Sequence, residues 1–123
     1  PKDPWDAART REIMTYIAST AHVNHAHKMR GYRWADAETS HADMKAKIPQ
    51  TMTDAADYLE SKLAGPFALG DTLTLADAYL YPIVSWLPAA GVPLDGYPKL
   101  AAFTAAMEAR PSVKARADGV IPA

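Results

Sequence analysis

The sequence predicts an all-α domain, a helical bundle of four to six helices around a buried central helix at about Thr74–Leu87. A helix-capping pattern at the start of this stretch is followed by an almost uninterrupted apolar run. Apolar residues also recur at helical spacing along residues 44–63. The chain is rich in alanine, which favours closely packed helices, and strand signals are absent.

Size and composition fit one folded domain covering residues 1–123. A chain of 123 residues can bury roughly two-thirds of the surface that its unfolded form exposes. Its 49% apolar and 22% charged residues are typical of a globular protein. The formal net charge of -1 argues against a nucleic-acid partner, which needs a basic face. The absence of cysteine excludes disulfides, zinc–thiolate sites and a cysteine nucleophile within this chain.

The sequence also bears on location. No run of about eighteen apolar residues is present, so we expect no membrane span. The first residues do not resemble a signal peptide, and together with the lack of cysteine this favours a cytoplasmic protein. Because the chain begins at Pro1 without a methionine, we expect a fragment of a longer protein or a processed product.

The first helix is predicted to run from Pro4 to about Lys28 or Arg30 and to end at Gly31. Asp3 is a plausible N-cap, with proline at the first helical position. The apolar stripe of this helix consists of Ile13, Tyr16, Ile17 and Ala21. From Thr20 onward, polar side chains lie on several faces, which is typical of a helix that borders solvent or a cleft. This polar half is where we first look for a binding site.

A second helix is predicted to begin around Glu38 to Ser40. Its core face follows the spacing of one helix face and consists of Met44, Ile48, Met52, Ala56, Leu59 and Leu63. Pro49 removes a backbone donor within this stretch, so the helix either kinks or splits near Ile48, and we favour a kink. Gly65 and Pro66 end it.

The central helix follows a Gly-Asp turn. Thr74 and Asp77 stand in the spacing of a capping box, with the carboxylate at the positive end of the helix dipole. The residues that follow leave almost no polar face, so we expect burial on every side. Pro82 should bend this helix, and Pro88 with Gly91 should end it.

The C-terminal part is predicted to contain a turn and two helices. The turn is at residues 95–98, and the helix after it carries Leu100, Phe103 and Met107 on one face. A short last helix begins at Pro111, and the tail at 119–122 is expected to be loose.

Few residues are candidates for binding or catalysis, and each of them could instead have a purely structural role. His22 and His25 share one helix face and could bind a metal, but no carboxylate ligand stands nearby in sequence, so surface histidines are the simpler interpretation and no metal is expected. Trp86 is either core filler or the wall of a pocket. Nucleophile elbows, phosphate loops and paired acids are absent.

The stretch from Gly70 to Leu80, Gly-Asp-Thr-Leu-Thr-Leu-Ala-Asp-Ala-Tyr-Leu, resembles the capping segment in the C-terminal helical domain of the glutathione transferase superfamily. The pieces Tyr-Pro-x-Leu from Tyr97 and Arg-Pro-Ser-Val from Arg110 are similar to the same family, in the same order. The resemblance covers essentially the whole chain. It implies a thioredoxin-like N-terminal domain that is absent here, and a homodimer.

A second segment, Tyr16–His22, is similar to one in bacterial beta-class enzymes whose His and Lys face glutathione. On this match His22 is a glutathione contact. Val23 stands where the family has Lys, and Thr15 stands where members often carry Asn near the sulfur. His25, one turn along, could replace some of the lost polarity. Trp86 resembles the tryptophan that lines the site of the apolar co-substrate.

The resemblance implies that glutathione is a substrate and that its thiolate attacks a small electrophile. The activating residue normally lies in the other domain, so no catalytic residue is expected in this chain, and we expect the chain alone to be inactive. The alternative is a transferase-like module that binds proteins without catalysis.

Overall fold

A computed structural model describes residues 1–119 of the chain and shows an all-α domain. Within that range, six α-helices are joined by short turns, and no strand forms apart from one isolated bridge. The helices are α1 (Pro4–Tyr16), α2 (His22–Arg30), α3 (Glu38–Lys62), α4 (Leu75–Trp86), α5 (Pro98–Glu108) and α6 (Pro111–Ala117). The fold prediction is therefore confirmed, whereas the tail predicted beyond Gly119 lies outside the described residues.

The predicted first helix is α1 and α2 in continuous sequence. The carboxylate of Asp3 caps it by accepting the backbone N–H groups of Trp5 and Asp6, each at 2.9 Å. The two helices are joined by one wide π-helical turn, Ile17–Ala21, which the sequence did not indicate. Ile17 and Ala21 remain fully buried, so the predicted apolar stripe passes through this turn. Gly31 ends α2 by starting a 3-10 turn.

The predicted second helix, α3, is continuous across Pro49 and does not split. Its core face is as expected, with Ile48, Met52, Ala56 and Leu59 buried. Pro49 lies on the exposed side, where its ring borders Gly91. Within the described residues, no helix is long and apolar enough to cross a membrane.

The N-terminus of α4 is organised by the buried carboxylate of Asp77, which has no exposed surface. The predicted capping box forms. One carboxylate oxygen accepts the Thr74 backbone N–H at 2.6 Å and the Thr74 hydroxyl at 2.9 Å. The other accepts the backbone N–H of Ala68 at 2.6 Å. Asp77 therefore starts the helix and also ties down the loop that precedes it.

This loop folds back on itself before it reaches α4. Phe67 and Gly70 exchange two backbone hydrogen bonds, 2.9 and 3.1 Å long. Gly70 has a φ of 110°, which favours glycine. A Cβ atom on Gly65 would lie 2.8 Å from the Gly70 Cα, so both glycines are required by this turn. The turn presents the Ala68 N–H to Asp77.

The expectation that α4 is buried on every side is wrong for its first turns. Ala76, Leu80, Ile83 and Val84 are buried, as are other core positions, but Leu75 is 72% exposed. Ala78 is exposed on the same side. The physical reason is that α1 and α5 pack against one side of α4, while Leu75 and Ala78 lie on a side that stays exposed. An apolar surface is left there.

Helix α5 buries the predicted face of Leu100, Phe103 and Met107. Its N-terminus has no side-chain cap of its own. Instead, the carboxylate of Glu60 on α3 accepts the backbone N–H groups of Lys99 and Leu100, each at 2.9 Å. Helix α6 then packs on α5 through the partly buried Val113.

We predict that Asp77→Asn destabilises the chain by about 3 kcal/mol, because both carboxylate oxygens accept donors and the Asn NH₂ would face one of them. The matched control is Asp71→Asn in the same loop, where the side chain is exposed and the change should stay within about 0.5 kcal/mol. Urea unfolding followed by circular dichroism measures both. Equal midpoints for the two variants would contradict this role of Asp77.

Candidate functional site

A cleft opens between α2 and the C-terminal end of α4, with a volume of about 290 Å³. We call it the α2–α4 cleft. It is lined by His22, His25, Ala26, Met29, Arg30 and Trp86. The α2 members follow the spacing i, i+3, i+4, i+7, i+8, which places them on one helix face. The cleft therefore has one polar helical wall and one aromatic wall.

His22 is the first residue of α2 and follows directly on the π turn. Wide turns of this kind change the register of a helix, and they occur frequently at functional sites. The Nδ1 atom of His22 lies 3.1 Å from the hydroxyl oxygen of Tyr79 on α4. This hydrogen bond fixes the imidazole between the two helices and leaves Nε2 as the other polar atom of the ring.

Trp86 forms the aromatic wall. The imidazole of His25 stacks on its indole with ring centroids 4.4 Å apart and an interplanar angle of 24°. His22 meets the same indole edge-on, with centroids 5.6 Å apart. Trp86 is partly buried and also packs against the hydrophobic core. The two interpretations of this residue, core filler and pocket wall, are therefore both compatible with its position.

His25 is held in an unusual environment. Its Nδ1 atom is the one buried side-chain nitrogen or oxygen in residues 1–119 that has no hydrogen-bond partner. Burial lowers the pKa of His25, and the nearby charges of Lys28 and His22 lower this pKa further. The ring is therefore neutral at pH 7, which suits its stacking on Trp86.

The structure brings together three of the four residues predicted to contact ligands. His22, His25 and Trp86 meet in the α2–α4 cleft. Thr15 is exposed on α1, before the π turn, and does not line the cleft. Sequence reasoning missed Tyr79, although it stands seven residues before Trp86 and so on the same side of α4. It also missed Met29 and Arg30, which the spacing along α2 could have indicated.

Over residues 1–119, no three side chains of the metal-ligating types come close enough together to hold an ion. His22 and His25 thus lack a third ligand within this part of the chain. The arrangement is suited instead to an organic ligand that combines polar and apolar parts.

A second surface lies at the other end of α4, and we call it the cap groove. Its volume is about 690 Å³. It is bordered by Leu73, Leu75 and Ala78 from α4 and its cap, and by Lys2 and Asp6 from the N-terminus. The groove contains the exposed apolar side of α4 described above. Two distinct surfaces, one polar and aromatic and one mainly apolar, therefore lie at the two ends of the same helix.

The fold and the cleft define an all-helical domain in which a capped central helix and a long π-turned helix border a cleft lined by two imidazoles, a guanidinium and an indole. Comparison with known protein families identifies the family to which such a domain belongs. Residues 24–115 match the family described as the C-terminal domain of glutathione S-transferase. The match covers most of the chain, which therefore belongs to this family.

Individual relatives agree with this assignment. A solved glutathione transferase homologue from Sulfitobacter, with bound glutathione, is 49% identical, with a TM-score of 0.95 over 98% of this chain and 58% of that chain. A maleylacetoacetate isomerase from Anaeromyxobacter dehalogenans, solved with dicarboxyethyl glutathione and citrate in its active site, is 27% identical, with a TM-score of 0.80 over 99% of this chain and 56% of that chain. Glutathione S-transferase A of Pleuronectes platessa is 37% identical over 59 residues, which are 48% of this chain and 26% of that protein.

These figures also show how the chain relates in length to its relatives. It covers 58% of the Sulfitobacter chain and 56% of the Anaeromyxobacter chain. The chain thus spans little more than half the length of the solved proteins that it resembles.

We predict that Lys28→Gln raises the pKa of His25, because the charge of Lys28 is one cause of its depression. NMR titration of the imidazole should place the wild-type pKa below the ordinary value of 6.5 and the variant closer to it. Lys114→Gln on α6 is the control and should leave the titration unchanged. An identical His25 titration in wild type and Lys28→Gln would contradict the electrostatic explanation.

The same depression has a defined effect on stability. The pKa of His25 is lower in the folded chain than in the unfolded chain, so on acidification the imidazole is protonated first in the unfolded chain. The contribution of the neutral imidazole to the free energy of unfolding is therefore complete above pH 6.5, and it is lost as the pH falls through the folded-state pKa. The free energy of unfolding should therefore fall more steeply below pH 6.5 in wild type than in His25→Gln. Urea unfolding at a series of pH values measures the difference.

Proposed function

We propose that this chain is the part of a glutathione transferase that closes one side of the glutathione cleft and forms the site of the hydrophobic co-substrate. The observation that carries the proposal is the position of His22, fixed by Tyr79 beside Trp86 and His25 in the α2–α4 cleft. Membership of the family and the glutathione bound to the Sulfitobacter homologue support it.

In this proposal His22 contacts glutathione through Nε2, since Nδ1 is occupied by the Tyr79 hydroxyl. Trp86 and Met29 offer apolar surface to the co-substrate. The reaction is attack of the glutathione thiolate on an electrophilic carbon, which forms a carbon–sulfur bond and expels the leaving group or saturates a double bond. The group that lowers the thiol pKa belongs to the other domain, so the chain supplies binding and shape.

The roles of Thr15 and His25 as further glutathione contacts belong to the same proposal. Thr15 is exposed and so is accessible to a second domain. His25 lies in the cleft one turn after His22. The beta-class character of the site is proposed from the similarity of Tyr16–His22 alone, and a maleylpyruvate isomerase described as Zeta class is also similar, with a TM-score of 0.74 and 27% identity.

The thioredoxin-like domain of the parent protein is proposed to cover the cap groove. Leu75 is 72% exposed and Leu73 is 36% exposed, an apolar surface that a partner domain would bury. The chain covers 58% of the Sulfitobacter homologue, which leaves room for a domain of the required kind. We further propose that the parent protein is a cytoplasmic homodimer.

We predict that His22→Ala in the full-length parent protein raises the KM for glutathione by about five-fold, the loss expected for one hydrogen bond. Retention on immobilised glutathione should weaken in parallel. His27→Ala is the control, because His27 packs against Trp34 and does not line the cleft. Equal glutathione retention of wild type and His22→Ala would contradict the assigned contact.

We also predict that residues 1–123 alone do not conjugate glutathione to electrophiles, because this chain lacks the thiol-activating group. An assay with 1-chloro-2,4-dinitrobenzene and glutathione measures this. Turnover by the isolated chain above the uncatalysed rate would show that the chemistry lies in this domain. Absence of glutathione binding by the full-length protein would favour the non-catalytic interaction module instead.

A further inference from the structure

Charge is unevenly distributed along this chain. Residues 13–35 contain no Asp or Glu, although the chain has 14 acidic residues. The same segment contains Lys28, Arg30 and Arg33, and three of the four histidines. The formal charge of the segment is therefore positive, while the rest of the chain is negative and the total is -1.

This positive segment forms one wall of the α2–α4 cleft. Among residues 1–119, the cleft lining carries the formal positive charge of Arg30 and includes no carboxylate. Basic residues occupy the last turn of α2. They outweigh the partial negative charge at the helix C-terminus, which is roughly half an elementary charge. The local potential in the cleft is therefore positive and should attract anions.

Among residues 1–119, Arg30 is the Lys or Arg side chain in the cleft lining, and Lys28 on the same helix lies outside that lining. The ammonium of Lys28 is engaged, since it donates to the carbonyl oxygen of Ala89 at 2.5 Å. Among residues 1–119, the guanidinium of Arg30 forms no ion pair, and its side chain makes no hydrogen bond. A guanidinium without a partner can bind a carboxylate through two parallel hydrogen bonds.

The neighbours of Arg30 define the rest of the ligand. Met29 is 76% exposed beside it, and the partly exposed indole of Trp86 lies across the cleft. The volume of about 290 Å³ suits a small molecule. A ligand with an apolar or aromatic body and one terminal anionic group could bind the guanidinium and contact the apolar side chains at the same time.

Resting on the proposed function, we propose that the co-substrate is a carboxylate-bearing electrophile whose anionic group binds Arg30 at the rim of the α2–α4 cleft. The carboxylate of the ligand accepts hydrogen bonds from the guanidinium of Arg30, and the apolar body of the ligand lies toward Met29 and Trp86. Arg30 thereby acts as a specificity residue, because it distinguishes anionic from neutral electrophiles of the same shape.

The test uses the full-length parent protein and two electrophiles that differ in charge, 4-chloro-3,5-dinitrobenzoate and its methyl ester. In both, the glutathione sulfur bonds to the ring carbon that carries chlorine, the carbon–chlorine bond breaks and chloride leaves. Each kcat/KM is divided by the uncatalysed rate constant with glutathione at the same pH. This division removes the different intrinsic reactivity of acid and ester.

We expect the normalised kcat/KM to favour the carboxylate in wild type. Arg30→Gln should raise the KM for the carboxylate by about five-fold, with its kcat and the KM for the ester unchanged. Arg30→Lys should keep part of the preference. Arg33→Gln is the matched control, since it removes the same charge three residues away and outside the cleft lining. Equal effects of Arg30→Gln on both electrophiles, or no effect on either, would overturn the inference.

A binding measurement separates this inference from the proposed function. Without glutathione, 3,5-dinitrobenzoate and its methyl ester are titrated against the protein, and binding is measured by isothermal titration calorimetry. The anion should bind about five-fold more tightly than the ester, and Arg30→Gln should abolish the difference. If this holds without any conjugation, the proposed function fails and the anion site stands. Equal binding of anion and ester overturns the site.

Discussion

The buried carboxylate of Asp77 joins two parts of the chain that would otherwise be independent. It accepts the backbone N–H of Ala68 in the preceding loop and the N–H and hydroxyl of Thr74 at the start of α4. A buried ionisable group is tolerated only when its hydrogen-bonding capacity is used, as it is here. Since α4 carries Trp86 to the cleft and Tyr79 to His22, the geometry of the site depends on where this cap fixes the helix.

The site itself depends on which side chains of α2 and of α4 face each other where the two helices meet. The π turn Ile17–Ala21 keeps its own apolar residues in the core and delivers His22 to the side facing α4. On α4, Tyr79 and Trp86 are two turns apart and reach His22 and the stacked ring of His25. Within residues 1–119, α2 therefore supplies the imidazoles and the guanidinium of the cleft, and α4 supplies the indole.

Much of this could be predicted from the sequence, and the parts that could not share a cause. The capping box at Thr74 and Asp77 and the core face of α3 follow from spacing within one segment, so local patterns were sufficient. The Ala68 N–H donates to the Asp77 carboxylate across a loop, and His22 pairs with Tyr79 of another helix, so neither contact leaves a signal within one regular segment. The exposed side of Leu75 was missed because an apolar run does not show which of its faces the rest of the chain will cover.

The start of α5 has a consequence for how the domain assembles. The first-turn donors of Lys99 and Leu100 are satisfied by Glu60, which belongs to α3, and α5 has no side-chain cap of its own. Short helices are marginal in water without such support. The start of α5 therefore depends on a side chain that an earlier helix supplies, so a change at Glu60 of α3 would leave two backbone donors of the C-terminal part without their acceptor.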